Sequence, residues 1–183
     1  MIYLFDMDGT ITEPWYGETA PDFYEDRADM TMRSYSENTY EYVKPLPCAL
    51  DFIKEIEKYH ENHTKPTFAV LTTIVNGKEY VDKVEYLSKN FKDTDGNALF
   101  DIDRVYGVVS NENKVEVINA LLTEDDVVFF DDTIGILNEV RAKCNSVCQY
   151  YHCLALHSTA LYMRTMEDIV AAFETETHEN YPR

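Results

Sequence analysis

Met1-Ile2-Tyr3-Leu4-Phe5-Asp6-Met7-Asp8-Gly9-Thr10-Ile11-Thr12 opens the chain, and this stretch decides the fold. Met1 to Phe5 is a short apolar run of strand type, and it ends in two acids spaced two apart. Side chains alternate along an extended chain, so Asp6 and Asp8 share a face if the strand continues. Gly9 lets the backbone turn sharply, and Thr10 can hydrogen-bond back into that turn. Two carboxylates then project from the C-terminal edge of a sheet, where open α/β sheets place their ligands.

Further apolar runs follow the first. Thr67-Phe68-Ala69-Val70-Leu71 is continuous, as in a strand buried on both faces, and it ends in Thr72-Thr73. Arg104 to Val109 reads as a short strand, Val127 to Phe130 as another ending in Asp131-Asp132, and Ser146 to Tyr151 as a fifth. Between them lie segments with helical spacing. Pro45 and Pro47 lead into the first, with Ala49, Leu50, Phe52, Ile53, Ile56 and Tyr59. Residues 78–91 form the second, Lys114 opens the third, Ile136 to Lys143 form the fourth and Met166 to Phe173 the last. Asp93 to Asn97 reads as a turn. The alternation predicts an α/β fold of three layers, Rossmann-like, with a mainly parallel five-stranded sheet and helices on both faces.

The chain has 183 residues, which suits a single domain over 1–183 with room for a substantial core. Residues 13–45 stand out as an acidic insertion rich in aromatics, among them Trp15, Tyr16, Phe23, Tyr24, Tyr35, Tyr40 and Tyr42. A structureless loop of that length is rare inside a compact domain, so a flap or small cap is expected. Trp15 and Tyr16 follow the first motif closely enough to stack on a sugar or nucleobase face.

A net charge of −18 sets up a repulsive average field for a phosphodiester backbone, so nucleic acid is not the expected partner. No run reaches membrane-span length and no signal peptide is read, so a cytoplasmic protein without a membrane partner is expected. The four cysteines are then expected as thiols. Cys144, Cys148, His152, Cys153 and His157 are dense in soft ligands, but they span a helix end, a strand and a loop. Their convergence on zinc is not expected, and the paired C-x₂-C signature is absent.

Three strand ends carry Asp6/Asp8, Thr72-Thr73 and Asp131-Asp132, and Lys114 lies where a following helix begins. Two or three acids, a hydroxyl and one cation on a single sheet edge suit phosphoryl transfer through an aspartyl phosphate. Asp132 is also placed to cap the next helix.

Asp6-Met7-Asp8-Gly9-Thr10 resembles the first motif of the haloacid dehalogenase-like phosphohydrolases. Phe68 to Thr72 looks like the second motif, Lys114 like the third and Phe129-Phe130-Asp131-Asp132 like the fourth, in that family's order. The resemblance implies Asp6 as nucleophile and Asp8 as the acid that protonates the leaving oxygen and then activates water. It implies that Thr72 holds a phosphoryl oxygen and that Lys114 offsets negative charge. Gly9, Thr10 and Thr73 would line the phosphate. Mg²⁺ would be held by Asp6, the Asp8 carbonyl, Asp131 and Asp132; such oxygen ligands suit this ion. An acid at position 8 favours phosphate chemistry over dehalogenation.

One departure concerns the fourth motif. Where the family often has Asp or Asn, this chain has Ile134, Gly135 and Ile136, and Asn138 is the nearest replacement. The intervals between motifs leave no room for a large cap. A further likeness, to the 5′(3′)-deoxyribonucleotidase branch, makes a nucleoside monophosphate the leading small substrate. The expected function is a Mg²⁺-dependent phosphomonoesterase acting on a small phosphorylated metabolite. The alternatives are a phosphatase of nucleic-acid ends and a non-catalytic binding module on the same fold. The oligomeric state is not legible in the sequence.

Overall fold

The computed structural model describes residues 1–13, 40, 41, 43–93, 95–144 and 148–152, the last group by backbone alone. The strands are β1 (Ile2–Phe5), β2 (Thr67–Thr73), β3 (Val105–Val108), β4 (Val127–Asp131) and β5 (Cys148–His152). The helices are α1 (Pro47–Tyr59), α2 (Gly77–Asn90), α3 (Asn111–Leu121) and α4 (Ile134–Lys143). All strand pairs are parallel, in the order β3-β2-β1-β4-β5. The fold is therefore α/β, a parallel sheet flanked by helices.

Alternation along the strands divides the core in two. Tyr3, Phe5, Phe68, Val70, Val128 and Phe130 face one cluster, with Ala49, Ile53 and Ile56 of α1 and Tyr86 and Leu87 of α2. Ile2, Leu4, Ala69, Leu71, Val127 and Phe129 face the other, with Val115, Ile118 and Leu121 of α3 and Ile136, Leu137 and Val140 of α4. Burial on both faces explains why β2 and β4 read as unbroken apolar runs. Phe130 stacks on Phe5 at 4.8 Å between centroids and meets the edge of Phe52 at 5.4 Å. Such pairs add about 0.5–1.5 kcal/mol each beyond the area they bury.

Local signals set the helix starts. Proline occupies the first turn of α1, where its missing N–H costs nothing. The Asn76 side chain caps α2 by accepting the Glu79 amide at 3.0 Å. The Asp93 carboxylate accepts the Asp95 and Asn97 amides, and Gly96 takes φ +84° in the same turn.

β2 ends at Thr73, with both threonines at the strand end as expected. Other expected boundaries move. α3 begins at Asn111, which puts Lys114 in its first turn and not at its opening. α4 begins two residues earlier than expected, at Ile134. β5 reaches one residue further than expected, to His152.

Among the described residues no helix is long and apolar enough to cross a membrane. Nearly all of the expected 13–45 insertion, with Trp15 and Tyr16, lies outside the described residues, as do the Met166–Phe173 helix, Cys153 and His157. Cys144 is a free thiol at the end of α4, and burial pushes it up to about 11.

Candidate active site

The chain leaves β1 for β2 on one side and returns to β4 on the other, so the strand order reverses at the β1–β4 boundary. A crevice opens at such a point, beyond the carboxyl ends of the strands. β1 and β4 pair with Phe5 opposite Phe130, so Asp6 and Asp131 come next, side by side. The Asp6 amide donates to the Phe130 carbonyl at 2.8 Å and locks this register.

β1 ends at Phe5, so the strand alternation that would put Asp6 and Asp8 on one face does not extend to them. The chain wraps instead into a tight turn, in which the Thr10, Ile11 and Thr12 amides all donate to the Met7 carbonyl at 3.0–3.2 Å. The side chain that closes this turn is Thr12, which donates to the Met7 carbonyl at 3.1 Å, and not Thr10 as expected. The Thr10 hydroxyl is buried without a hydrogen-bond partner. Gly9 takes φ +81°, and a Cβ there would stand 2.6 Å from Asp132 Oδ2. Glycine at this position thus serves both the turn and the place of Asp132.

The turn delivers the two acids to different partners. Lys114 Nζ, on α3, donates to Asp6 Oδ1 at 2.7 Å and to Asp131 Oδ2 at 2.9 Å. Lys83 Nζ, on α2 across the sheet, donates to Asp8 Oδ2 at 2.8 Å. Tyr40 OH donates to Asp8 Oδ1 at 2.7 Å. Thr72 lies next to Lys83, which donates to its Oγ1 at 2.7 Å. Thr73 turns elsewhere, donating from Oγ1 to Asn111 Oδ1 at 3.0 Å.

Carboxylate oxygens of Asp6, Asp131 and Asp132 lie within 4.8 Å of one another. The Asp8 carboxylate is not part of this group; it is held by Lys83 and Tyr40. Asp132 is not the cap of α4, a position that Thr133 takes. Asp131 is steadied by the Thr133 amide, which donates to its Oδ1 at 2.8 Å. Asn138 is exposed on α4, so the support expected from it comes instead from Thr133 and Lys114.

Three carboxylates face one ammonium, an excess of two negative charges where Asp6 and Asp131 are buried and Asp132 is half-buried. Burial pushes the Asp6 carboxyl up to about 6; Lys114 opposes the rise, and Asp131 and Asp8 add to it. Burial likewise raises Asp131 against the pull of Lys114. Asp132 is raised by burial and by its neighbour Asp6. Burial presses Lys114 down, but Asp6 and Asp131 outweigh it and hold the ammonium above its ordinary value. Burial and Asp8 hold the Tyr40 hydroxyl well above its usual range. One divalent cation held among the three carboxylates would balance the excess charge.

Lys83 is the residue that sequence reading passed over. It is fully buried, on the same helical stripe as Glu79, Tyr86 and Leu87. A lysine on the apolar stripe of an amphipathic helix was the available signal, since lysine is almost never fully buried unless paired.

The chain matches no protein-family model, no curated protein and no solved structure.

Proposed function

We propose that the protein is a Mg²⁺-dependent phosphomonoesterase that works through an aspartyl phosphate on Asp6. One observation carries this reading. Two acids two residues apart sit in separate settings, Asp6 with Asp131, Asp132 and Lys114, and Asp8 with Lys83, Tyr40 and, through Lys83, Thr72. Such a division suits one carboxylate for attack on phosphorus and the other for moving protons. The resemblance to the haloacid dehalogenase-like phosphohydrolases and a Rossmann-like reading of the strand order support the same conclusion.

The residues divide the work as follows. Asp6, Asp131 and Asp132, with the Asp8 carbonyl, would hold Mg²⁺, which when bound offsets the charge on the phosphate and orients it. Asp6 attacks phosphorus, a new P–O bond forms, and the bond to the ester oxygen breaks. Asp8 gives its proton to that departing oxygen. Asp8 then takes a proton from water as the water oxygen attacks the phosphorus of the aspartyl phosphate, which frees Asp6 and inorganic phosphate. Lys114, bonded to Asp6, keeps the nucleophile in line and balances charge as phosphate arrives. Thr72 offers its hydroxyl to a phosphoryl oxygen.

The substrate we propose is a small phosphorylated metabolite, with a nucleoside monophosphate as the leading case. The strong negative charge of the chain weighs against nucleic-acid ends. The test is phosphate release from nucleotides, sugar phosphates, end-phosphorylated oligonucleotides and an aryl phosphate, with Mg²⁺ and with EDTA. Turnover that needs Mg²⁺ and disappears in folded Asp6→Asn is the expected result. Turnover that survives Asp6→Asn would refute the covalent route.

A further inference from the structure

Burying a lone ammonium costs several kcal/mol unless its partners are well placed, and Lys83 is 0% exposed. Its partners are well placed. Nζ donates to the Thr73 carbonyl at 2.6 Å, to Thr72 Oγ1 at 2.7 Å and to Asp8 Oδ2 at 2.8 Å. An ammonium has three N–H groups, so the set is complete. Glu79 Oε1 stands 3.3 Å away and balances charge. Glu79 is itself anchored, because the Val75 amide donates to its Oε2 at 2.6 Å. The Tyr40 ring lies 5.6 Å from Nζ, and its hydroxyl holds the other oxygen of Asp8.

We propose that Lys83 is a positioning residue for proton transfer, fixing the Asp8 carboxylate and the Thr72 hydroxyl together against the departing group of a phosphate ester. The inference rests on the reading of Asp6 as nucleophile and Asp8 as acid and base. With all three N–H groups used, Lys83 is not a phosphate ligand and acts through the two side chains it holds. Thr72 accepts from Lys83, so its hydroxyl hydrogen is what it can offer. The bond from that hydroxyl to the Thr73 carbonyl is long, at 3.4 Å, and yields readily to a phosphoryl oxygen. Asp8 is gripped at both oxygens, yet a carboxylate has about four lone-pair sites. It can exchange a proton with a substrate oxygen without releasing Lys83 or Tyr40.

A misplaced Asp8 harms esters in proportion to how much their departing oxygen needs a proton. An alkoxide needs one badly, whereas 4-nitrophenolate leaves without help. The experiment measures kcat/KM for 4-nitrophenyl phosphate and for a simple alkyl phosphate, with Mg²⁺, in the wild type, Lys83→Met and Tyr40→Phe. Thermal melts establish that each variant is folded. General acid catalysis contributes about 10²–10⁴-fold, so Lys83→Met should lose roughly 100-fold on the alkyl ester and under about tenfold on the aryl ester. Tyr40→Phe should shift the same ratio in the same direction by a smaller factor, and it keeps the test decisive if Lys83→Met fails to fold. Equal losses on the two esters, beside an active wild type that Asp6→Asn silences, would overturn the role of Lys83 and leave the phosphatase reading standing. A folded wild type that hydrolyses neither ester, nor any nucleotide or sugar phosphate of the panel above, would overturn both.

Discussion

Gly9→Ala and Gly96→Ala make a matched pair, because the two glycines have nearly the same backbone, with φ of +81° and +84°. An L side chain in this region costs roughly 1–2 kcal/mol. In a chain of this size each kcal/mol lowers Tm by about 2–4 °C, so both variants should melt roughly 2–8 °C below the wild type in EDTA. Their surroundings differ. A Cβ at Gly96 meets nothing within 4 Å, whereas at Gly9 it stands 2.6 Å from Oδ2 and 3.0 Å from Cγ of Asp132. Asp132 must swing away and leave the carboxylate trio. Mg²⁺ at about 100 times its Kd adds about 2.7 kcal/mol to the folded state, which is roughly 5–11 °C in Tm. The wild type and Gly96→Ala should both show this rise. Gly9→Ala should need about tenfold more Mg²⁺ for the same rise, the equivalent of about 1.4 kcal/mol. The assay is a thermal melt across a Mg²⁺ titration. Equal Mg²⁺ responses in the two variants would refute Asp132 as a ligand held in place by Gly9.

Two other outcomes follow from the same site. Lys114→Met leaves Asp6 and Asp131 without their shared cation, and breaking a buried ion pair costs about 3–5 kcal/mol. Urea unfolding in EDTA should show a loss of that size, and saturating Mg²⁺ should recover part of it; a loss below about 1 kcal/mol would contradict the buried arrangement. The Asp6 carboxyl sits at about 6 in the metal-free protein, against an ordinary 3.8. The folded state therefore binds this proton more tightly than the unfolded chain does. Its contribution to stability is complete below about pH 4 and is lost as pH rises through about 6. Unfolding free energy in EDTA should fall between those limits, and less steeply in Asp6→Asn. Equal slopes would show that Asp6 does not titrate there.

Much of the scaffold was legible because its signals are local. Unbroken apolar runs marked β2 and β4, and alternate positions on them feed the two cores. Pro47 marked the start of α1 through backbone chemistry that acts within a turn. Asp-x-Asp-Gly-Thr marked a sheet edge able to carry acids, and Asp131-Asp132 marked a second. The boundaries were less legible. Lys114 read as the opening of a helix, yet α3 begins three residues earlier, at Asn111.

What tertiary structure decided is which charges meet. Lys114 lies 108 residues from Asp6, and Lys83 lies 75 residues from Asp8. Local spacing can single out a lysine on a helix stripe, as for Lys83, but it does not say which carboxylate that lysine will meet. The crossover of the chain around β1 sends α2 to one face of the sheet and α3 to the other, one lysine on each. The end of β1 at Phe5 then leaves Asp8 in the turn, where Lys83 and Tyr40 hold its carboxylate. The sequence alone determined which residues could do chemistry and that they gather at one edge. The division of two neighbouring acids between two lysines came from packing, because the cost of burying each charge is met only by the partner that the fold brings within reach.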